Sequence, residues 1–220
     1  ILAADPKIVK RPAPIETLSY PELQLLSAAG TQVLHESAVA PVRERQIPLH
    51  IRSTFAPDAP GTRIGFDAPA SLSASGVIGF AGRRPVSMLR VIFPENTEET
   101  ALWEVRACLN EHRIETFHSA CGVEGLCLLL SSGAEADALH ATAEQLRERF
   151  PDAKVKLREN LAVLLALCRS TKDIPKLSAA IEASGAPVHH LVQTPPGAMF
   201  CVNDSQYEQA LRAAYQAAFG

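Results

Sequence analysis

Few residues in this chain have the types and spacing that chemistry needs. Cys108, Cys121, Cys127, Cys168 and Cys201 are an odd number, and Cys121 and Cys127 stand too far apart for a CxxC pair. Small buried thiols in a reducing compartment account for them better than a metal or redox centre does. His189 and His190 are neighbours in a segment with strand character, so they point to opposite faces and do not easily chelate one ion. No glycine-rich phosphate loop occurs. Two polar stretches remain, each at the start of an expected helix: Glu95-Asn96-Thr97-Glu98-Glu99 and Ser170-Thr171-Lys172-Asp173. Three glutamates at a helix start suit the N-terminal dipole with no ligand present, and they could also meet the ammonium end of a small molecule. Asp5 precedes Pro6, the place of a loop cap.

The elements that must position these residues fall into two regimes. Residues 1–75 are Pro-rich and irregular. They contain a helix over 21–29, where Ser19 and Glu22 have capping-box spacing, a second helix over 37–44 and a strand over 46–52. Residues 68–75 are small, polar and Pro-containing, the composition of a linker. From Gly76 strands and helices alternate: strand 86–93, helix 98–112, strands 114–120 and 126–130, helix 134–150 and a short strand 153–157. The order then returns as strand 161–168, helix 172–184, strands 188–193 and 198–202, and helix 206–217. Leu139, Ala143, Leu146 and Phe150 mark one face of the long helix. A β-α-β-β-α unit of about 70 residues thus occurs twice, with a strand closing the first, which is the ferredoxin-like pattern. The fold class is therefore α/β (α+β). Such sheets keep an edge and a face to be covered, which favours a dimer. Trp103 and Phe117 are expected in the core or at a dimer contact.

A formal net charge of −3 gives no basic field for nucleic acid. No apolar run reaches the 18 residues that span a membrane, and the first residues lack the pattern of a secretory signal. The expected location is cytoplasmic. The chain starts at Ile1, inside a strand-to-loop motif, as a fragment or a processed chain would.

Three pieces in order carry a family resemblance: Ala4-Asp5-Pro6-Lys7-Ile8-Val9, then Gln32-Val33-Leu34-His35, then Ile-Pro-Leu-His-Ile-Arg-Ser-Thr-Phe-Ala-Pro-Asp-Ala-Pro-Gly-Thr-Arg-Ile over 47–64. They resemble T-A-D-P-R-x-V, F-G-A-K-V-L-H-P and I-P-(V/L)-x-V-x-(N/S)-T-F-x-P-x-x-P-G-T-x-I, from the end of the aspartate kinase catalytic domain. Arg83-Arg84-Pro85-Val86-Ser87-Met88-Leu89-Arg90-Val91 resembles the family's lead-in to its first ACT strand. The resemblance covers nearly the whole chain. It implies an amino-acid-kinase remnant over 1–67, a linker over 68–82, and tandem ferredoxin-like βαββαβ ACT domains over 83–159 and 160–220. The family reaction joins ATP, with Mg, and L-aspartate to give 4-phospho-L-aspartate for amino-acid biosynthesis.

By the same resemblance Asp5, Lys7 and Gln32 would lie against ATP. Lys7 stands where the family has Arg and lacks its planar fork. Gln32 replaces a Lys and Glu36 a Pro, so the site is implied to be degenerate. The family's K-F-G-G strand does not occur in the chain. A polypeptide that cannot hold both substrates in line gains nothing from proximity, so no kinase turnover is expected from this chain alone.

ACT domains take an amino acid where their first strand hands over to the first helix, between two modules. The resemblance places Glu95, Asn96 and Thr97 there in the first module, faced by His118, Ser119 and Cys121. In the second it places Ser170, Thr171, Asp173 and Gln193. Neither loop holds the Gly usual at that turn. The implied role is feedback sensing of an effector such as lysine or threonine, with a homodimer formed through the ACT domains or with a separate kinase chain as partner. The rival is a non-catalytic degenerate paralogue, or a stand-alone ACT regulatory or scaffold subunit.

Overall fold

The computed structural model describes residues 1–30, 36–66, 76–94, 99–122, 125–131, 133 and 135–220. In chain order the elements are β1 (Thr17–Ser19), α1 (Tyr20–Ala28), α2 (Glu36–Glu44), β2 (Leu49–Ile51), β3 (Thr62–Gly65), β4 (Val77–Ile92), α3 (Glu99–Glu111), β5 (Thr116–Gly122), β6 (Gly125–Leu130), α4 (Ala136–Arg149), β7 (Lys154–Cys168), α5 (Ile174–Ala183), β8 (His190–Gln193), β9 (Gly197–Asn203) and α6 (Tyr207–Phe219). They form two compact units, residues 1–83 with 162–220, and residues 84–161.

Local chemistry sets the helix ends. Ser19 Oγ accepts from the Glu22 N–H, and Glu22 Oε2 accepts from the Ser19 N–H at 2.7 Å, a complete capping box that starts α1. Gly30, at φ +106°, lies just past the end of this helix. β1 pairs parallel to β3 and β2 antiparallel to it, giving a small sheet of order β1-β3-β2.

Two expected strand boundaries are corrected. β4 begins at Val77, inside the stretch expected to be a linker, and runs to Ile92 without interruption. The expected strands 153–157 and 161–168 are one strand, β7. The polar triplet Arg158-Glu159-Asn160 has turn composition, yet only Asn160 leaves the extended region, at φ +54°. Smaller differences fall at ends: β2 covers 49–51, and α5 follows a 3-10 turn over 171–173.

In the 84–161 unit the strand order is β5-β6-β4-β7, with β6 antiparallel to both β4 and β5. Ranked along the chain this is 4-1-3-2 read from the far edge, the ferredoxin-like order. Its core joins Leu89, Val91, Val105, Leu109, Leu128 and Leu146. In the other unit the order is β4-β7-β9-β8, where residues 77–83 of β4 serve as the closing strand that the sequence 160–220 lacks. Here the core joins Leu164, Phe200, Ile181 and Leu211 to Val77, Phe80, Ala4 and Val9. Each fully buried aliphatic or aromatic side chain contributes about 1.5–3 kcal/mol. The start of the chain is therefore held by the same apolar core as the 162–220 module.

The two modules share one tight approach. A Cβ on Gly125, the first residue of β6, would lie 2.0 Å from the Val91 carbonyl oxygen. A Cβ on Gly197, the first residue of β9, would lie 2.4 Å from the Ala166 carbonyl oxygen. In both, the third strand of the module starts against the end of the first, where only Gly fits.

Candidate functional site

The loop leaving β7 is built from short local bonds. The Ser170 hydroxyl accepts from the Lys172 N–H, and the 3-10 turn 171–173 leads into α5 with Pro175 in its first turn. The Arg169 N–H donates to the Gly76 carbonyl at 2.9 Å. A Cβ on Gly76 would lie 3.0 Å from Ser170 Cβ and 3.1 Å from Asp173 Oδ2, so the loop rests on the start of β4. Gln193 pairs with Ala198, next to Gly197, whose approach to Ala166 marks the end of β7. Ser170, Thr171, Asp173 and Gln193 thus share one end of this sheet. Thr171 and Gln193 are exposed, and Ser170 and Asp173 are half-buried. Burial, and then the nearby Asp173 charge, push the Cys168 thiol up to about 12, which makes it a packing group and not a nucleophile.

Arg169 was not among the expected site residues, yet it is the best-connected charge of the loop. Its Nε donates to Glu22 Oε1 at 2.7 Å and its Nη2 to Glu22 Oε2 at 3.1 Å, a two-pronged pair. Nη2 also reaches the Thr17 carbonyl at 3.4 Å. The side chains are 19% and 4% exposed for Arg169 and Glu22. Burial pushes the Glu22 carboxyl up, but hydrogen bonds from Arg169 and Ser19, with the guanidinium charge, outweigh it and hold the group below its usual range. The available sequence signals were the capping-box Glu and a lone Arg directly after the apolar run 161–168. Neither names the other.

In the 84–161 unit, Glu95, Asn96 and Thr97 lie outside the described residues. His118 and Ser119 are on β5, opposite Leu129 and Leu128, and Leu129 is opposite Met88. They therefore sit several residues down the sheet from Ile92, where β4 ends. Cys121 and Gly122 are the β5 residues at that end, and Cys121 is exposed. Ser119 Oγ accepts from Arg106 Nη2 at 3.3 Å. Among the described residues His118 Nε2 is buried without a hydrogen-bond partner, and burial lowers the pKa of the ring.

On the kinase-like side, Asp5 Oδ1 accepts from the Lys7 N–H at 2.9 Å, and the Asp5 carbonyl accepts from Ile8 and Val9. Asp5 is a turn cap here, and Lys7 is exposed. Gln32 and His35 lie outside the described residues. The turn that follows β2 is tied by His50 Nε2 to the Pro60 carbonyl at 2.6 Å and leaves Phe55 98% exposed.

One side-chain expectation needs amending, and a second is narrowed to one of its alternatives. His189 and His190 are both half-buried, rather than one in and one out, and His189 Nε2 contacts Asn203 Oδ1 at 2.8 Å. Trp103 is 67% exposed and is not a core residue. Among the described residues no group of three or more potential ligands could hold a metal ion. All five cysteines are free thiols, and four are buried. Among the described residues no helix is long and apolar enough to cross a membrane.

Comparison with known proteins matches residues 1–53 to the amino acid kinase family. Aspartokinase 3 of Bacillus subtilis is 23% identical over 100% of this chain and 50% of its own length. The crystal structure of Clostridium acetobutylicum aspartate kinase, described as an allosteric enzyme, superposes with a TM-score of 0.84 at 25% identity, over 99% of this chain and 52% of that one. The regulatory subunit of aspartate kinase from Thermus flavus gives a TM-score of 0.54 at 19% identity, over 64% of this chain and 97% of that one, a likeness of fold. The chain spans about half the length of the Bacillus and Clostridium proteins. It therefore belongs with the C-terminal part of the aspartokinases: the end of an amino acid kinase domain followed by a regulatory region of ACT type.

Proposed function

We propose that this chain is the feedback-sensing portion of an aspartate kinase. A free amino acid such as lysine or threonine binds at the strand-to-helix loop of an ACT module, and occupancy biases a two-state equilibrium in the attached kinase domain. The observation that carries this reading is the seat of the loop 169–173. It lies in the same compact unit as the kinase-like residues 1–66 and is bonded to them through Arg169 and Glu22. Ser170, Thr171, Asp173 and Gln193 are the contacts proposed for the second module. Glu95, Asn96, Thr97, His118 and Ser119 are those proposed for the first. The working form is a cytoplasmic homodimer joined through its ACT modules.

ATP and Mg belong to the family reaction. Asp5, Lys7 and Gln32 mark the degenerate nucleotide corner, and this chain by itself is proposed to transfer no phosphoryl group. A second reading, a stand-alone regulatory subunit working with a separate kinase chain, is favoured by the fold likeness to a regulatory subunit that is matched over 97% of its length.

The test is a thermal-melt panel with lysine, threonine, methionine, aspartate and ATP. A ligand that binds only the native state stabilises it by about 2.7 kcal/mol at a hundred times its Kd. A rise with lysine or threonine and none with ATP is expected. No rise with any amino acid would overturn effector sensing by this chain.

A further inference from the structure

We infer that Arg169 and Glu22 are positioning residues that transmit the state of the 169–173 loop to the first helix of the kinase-like segment. The inference rests on the sensing role proposed above and assigns its route. Arg169 is the residue between β7 and the loop, so any rearrangement of Ser170–Asp173 moves its backbone first. Its guanidinium grips both Glu22 oxygens and touches the Thr17 carbonyl. Glu22 Oε2 is shared: it accepts from Arg169 Nη2 and from the Ser19 N–H. The start of α1 and the loop of the second module therefore belong to one hydrogen-bonded network. Tyr20, the first residue of α1, extends it by donating its hydroxyl to the Ile47 carbonyl at 2.5 Å and packing on Phe66 at 5.0 Å between ring centroids. Thr17, held by Arg169, lies in β1, which pairs with β3. Release of Arg169 thus loosens both the junction β1–α1 and the segment 47–66 that α1 supports. A planar two-pronged donor is required, because a point charge would fix distance but not orientation. A further tie between this loop and the rest of the unit, Arg169 N–H to the Gly76 carbonyl, is a backbone bond and is independent of the side chain.

The experiment is amide hydrogen exchange on the full 220-residue chain as wild type, Arg169→Met, Arg169→Lys, Glu22→Gln and the control Ser19→Ala, each with and without saturating L-lysine or L-threonine. Without ligand, Arg169→Met should speed exchange of residues 17–28 by about tenfold or more, the loss expected of a charge-assisted pair. Arg169→Lys should give a smaller effect, and it serves if the Met variant fails to fold. Glu22→Gln should speed exchange at 169–174, because coupling is reciprocal. Ser19→Ala should loosen α1 and leave 169–174 as in wild type, which separates coupling from mere helix stability. If the Arg169 and Glu22 variants each act only within their own segment, the inference is overturned. With ligand, wild type should slow at both 170–174 and 17–28, and Arg169→Met only at 170–174. Slowing at both in Arg169→Met would also overturn it. If no amino acid slows 170–174, the sensing role fails, while the coupling is still decided by the ligand-free comparison.

Discussion

The two ferredoxin-like modules have one strand order and two modes of attachment. Residues 84–161 supply four strands and two helices from a continuous stretch and close a core of their own. The second module takes its closing strand from 77–83 and shares its core with Ala4 and Val9. The same pattern of letters thus yields a module complete in itself and a module that needs residues far upstream. The difference locates the coupling: the second module is the one whose core and whose loop are continuous with the kinase-like segment, within one compact unit.

Breaking that shared core should have the largest effect. Phe200→Ala removes a fully buried ring and should cost about 3–5 kcal/mol. Urea melts followed by hydrogen exchange should show residues 3–9 losing protection together with 162–168. Leu128→Ala, in the self-contained core, should cost about 2–5 kcal/mol and raise exchange first within 84–161. If Phe200→Ala leaves residues 3–9 protected, the shared core is a mere contact.

The paired glycines sharpen the comparison at the next level. Gly125→Ala and Gly197→Ala each drive a Cβ into a backbone oxygen and should cost about 1–3 kcal/mol, read from the urea midpoint of each variant. Gly125 adds a positive φ of 147°, so its variant should be the worse of the two. Negligible losses would contradict the tight approach at the two strand starts, and equal losses would contradict the added backbone strain at Gly125.

Acid should separate the modules by pH window. The folded Glu22 carboxyl titrates below its ordinary value, about 4.5, so its stabilisation is present above that value and is lost as pH falls through the lower folded value. Burial holds the folded His118 ring below its ordinary value, about 6.5, so stability falls as pH drops below about that value, where the unfolded ring takes up a proton more readily. Urea midpoints between pH 8 and 3 should flatten below about 4.5 in Glu22→Gln and between about 6.5 and the lower folded value in His118→Asn. Smallest in energy is thiol accessibility. A native-state titration with a thiol-reactive reagent should find one fast thiol, Cys121, and a Cys168 that reacts only on unfolding.

Much of this was legible from residues. Helices α1, α3, α4, α5 and α6 follow from capping signals and apolar spacing, which are local. The long strands were not legible, because Arg83-Arg84-Pro85 and Arg158-Glu159-Asn160 look like breaks in a one-dimensional pattern although the chain stays extended through most of them. The closing role of 77–83 is a non-local pairing, and so is the Arg169–Glu22 bond, whose partners are 147 positions apart. For the site, the sequence named the 170–173 loop and Gln193 on one sheet end. It grouped His118 and Ser119 with Cys121, and which of the three stands level with the end of β4 is a matter of register, which strand composition does not write.

The most direct measurement is isothermal titration calorimetry of the 220-residue chain with L-lysine and L-threonine, repeated on Asp173→Ala. A saturable heat with one of the two amino acids, weakened in the variant, is the expected result. No saturable heat with either, or a titration indifferent to Asp173, would contradict amino-acid sensing at the second-module loop.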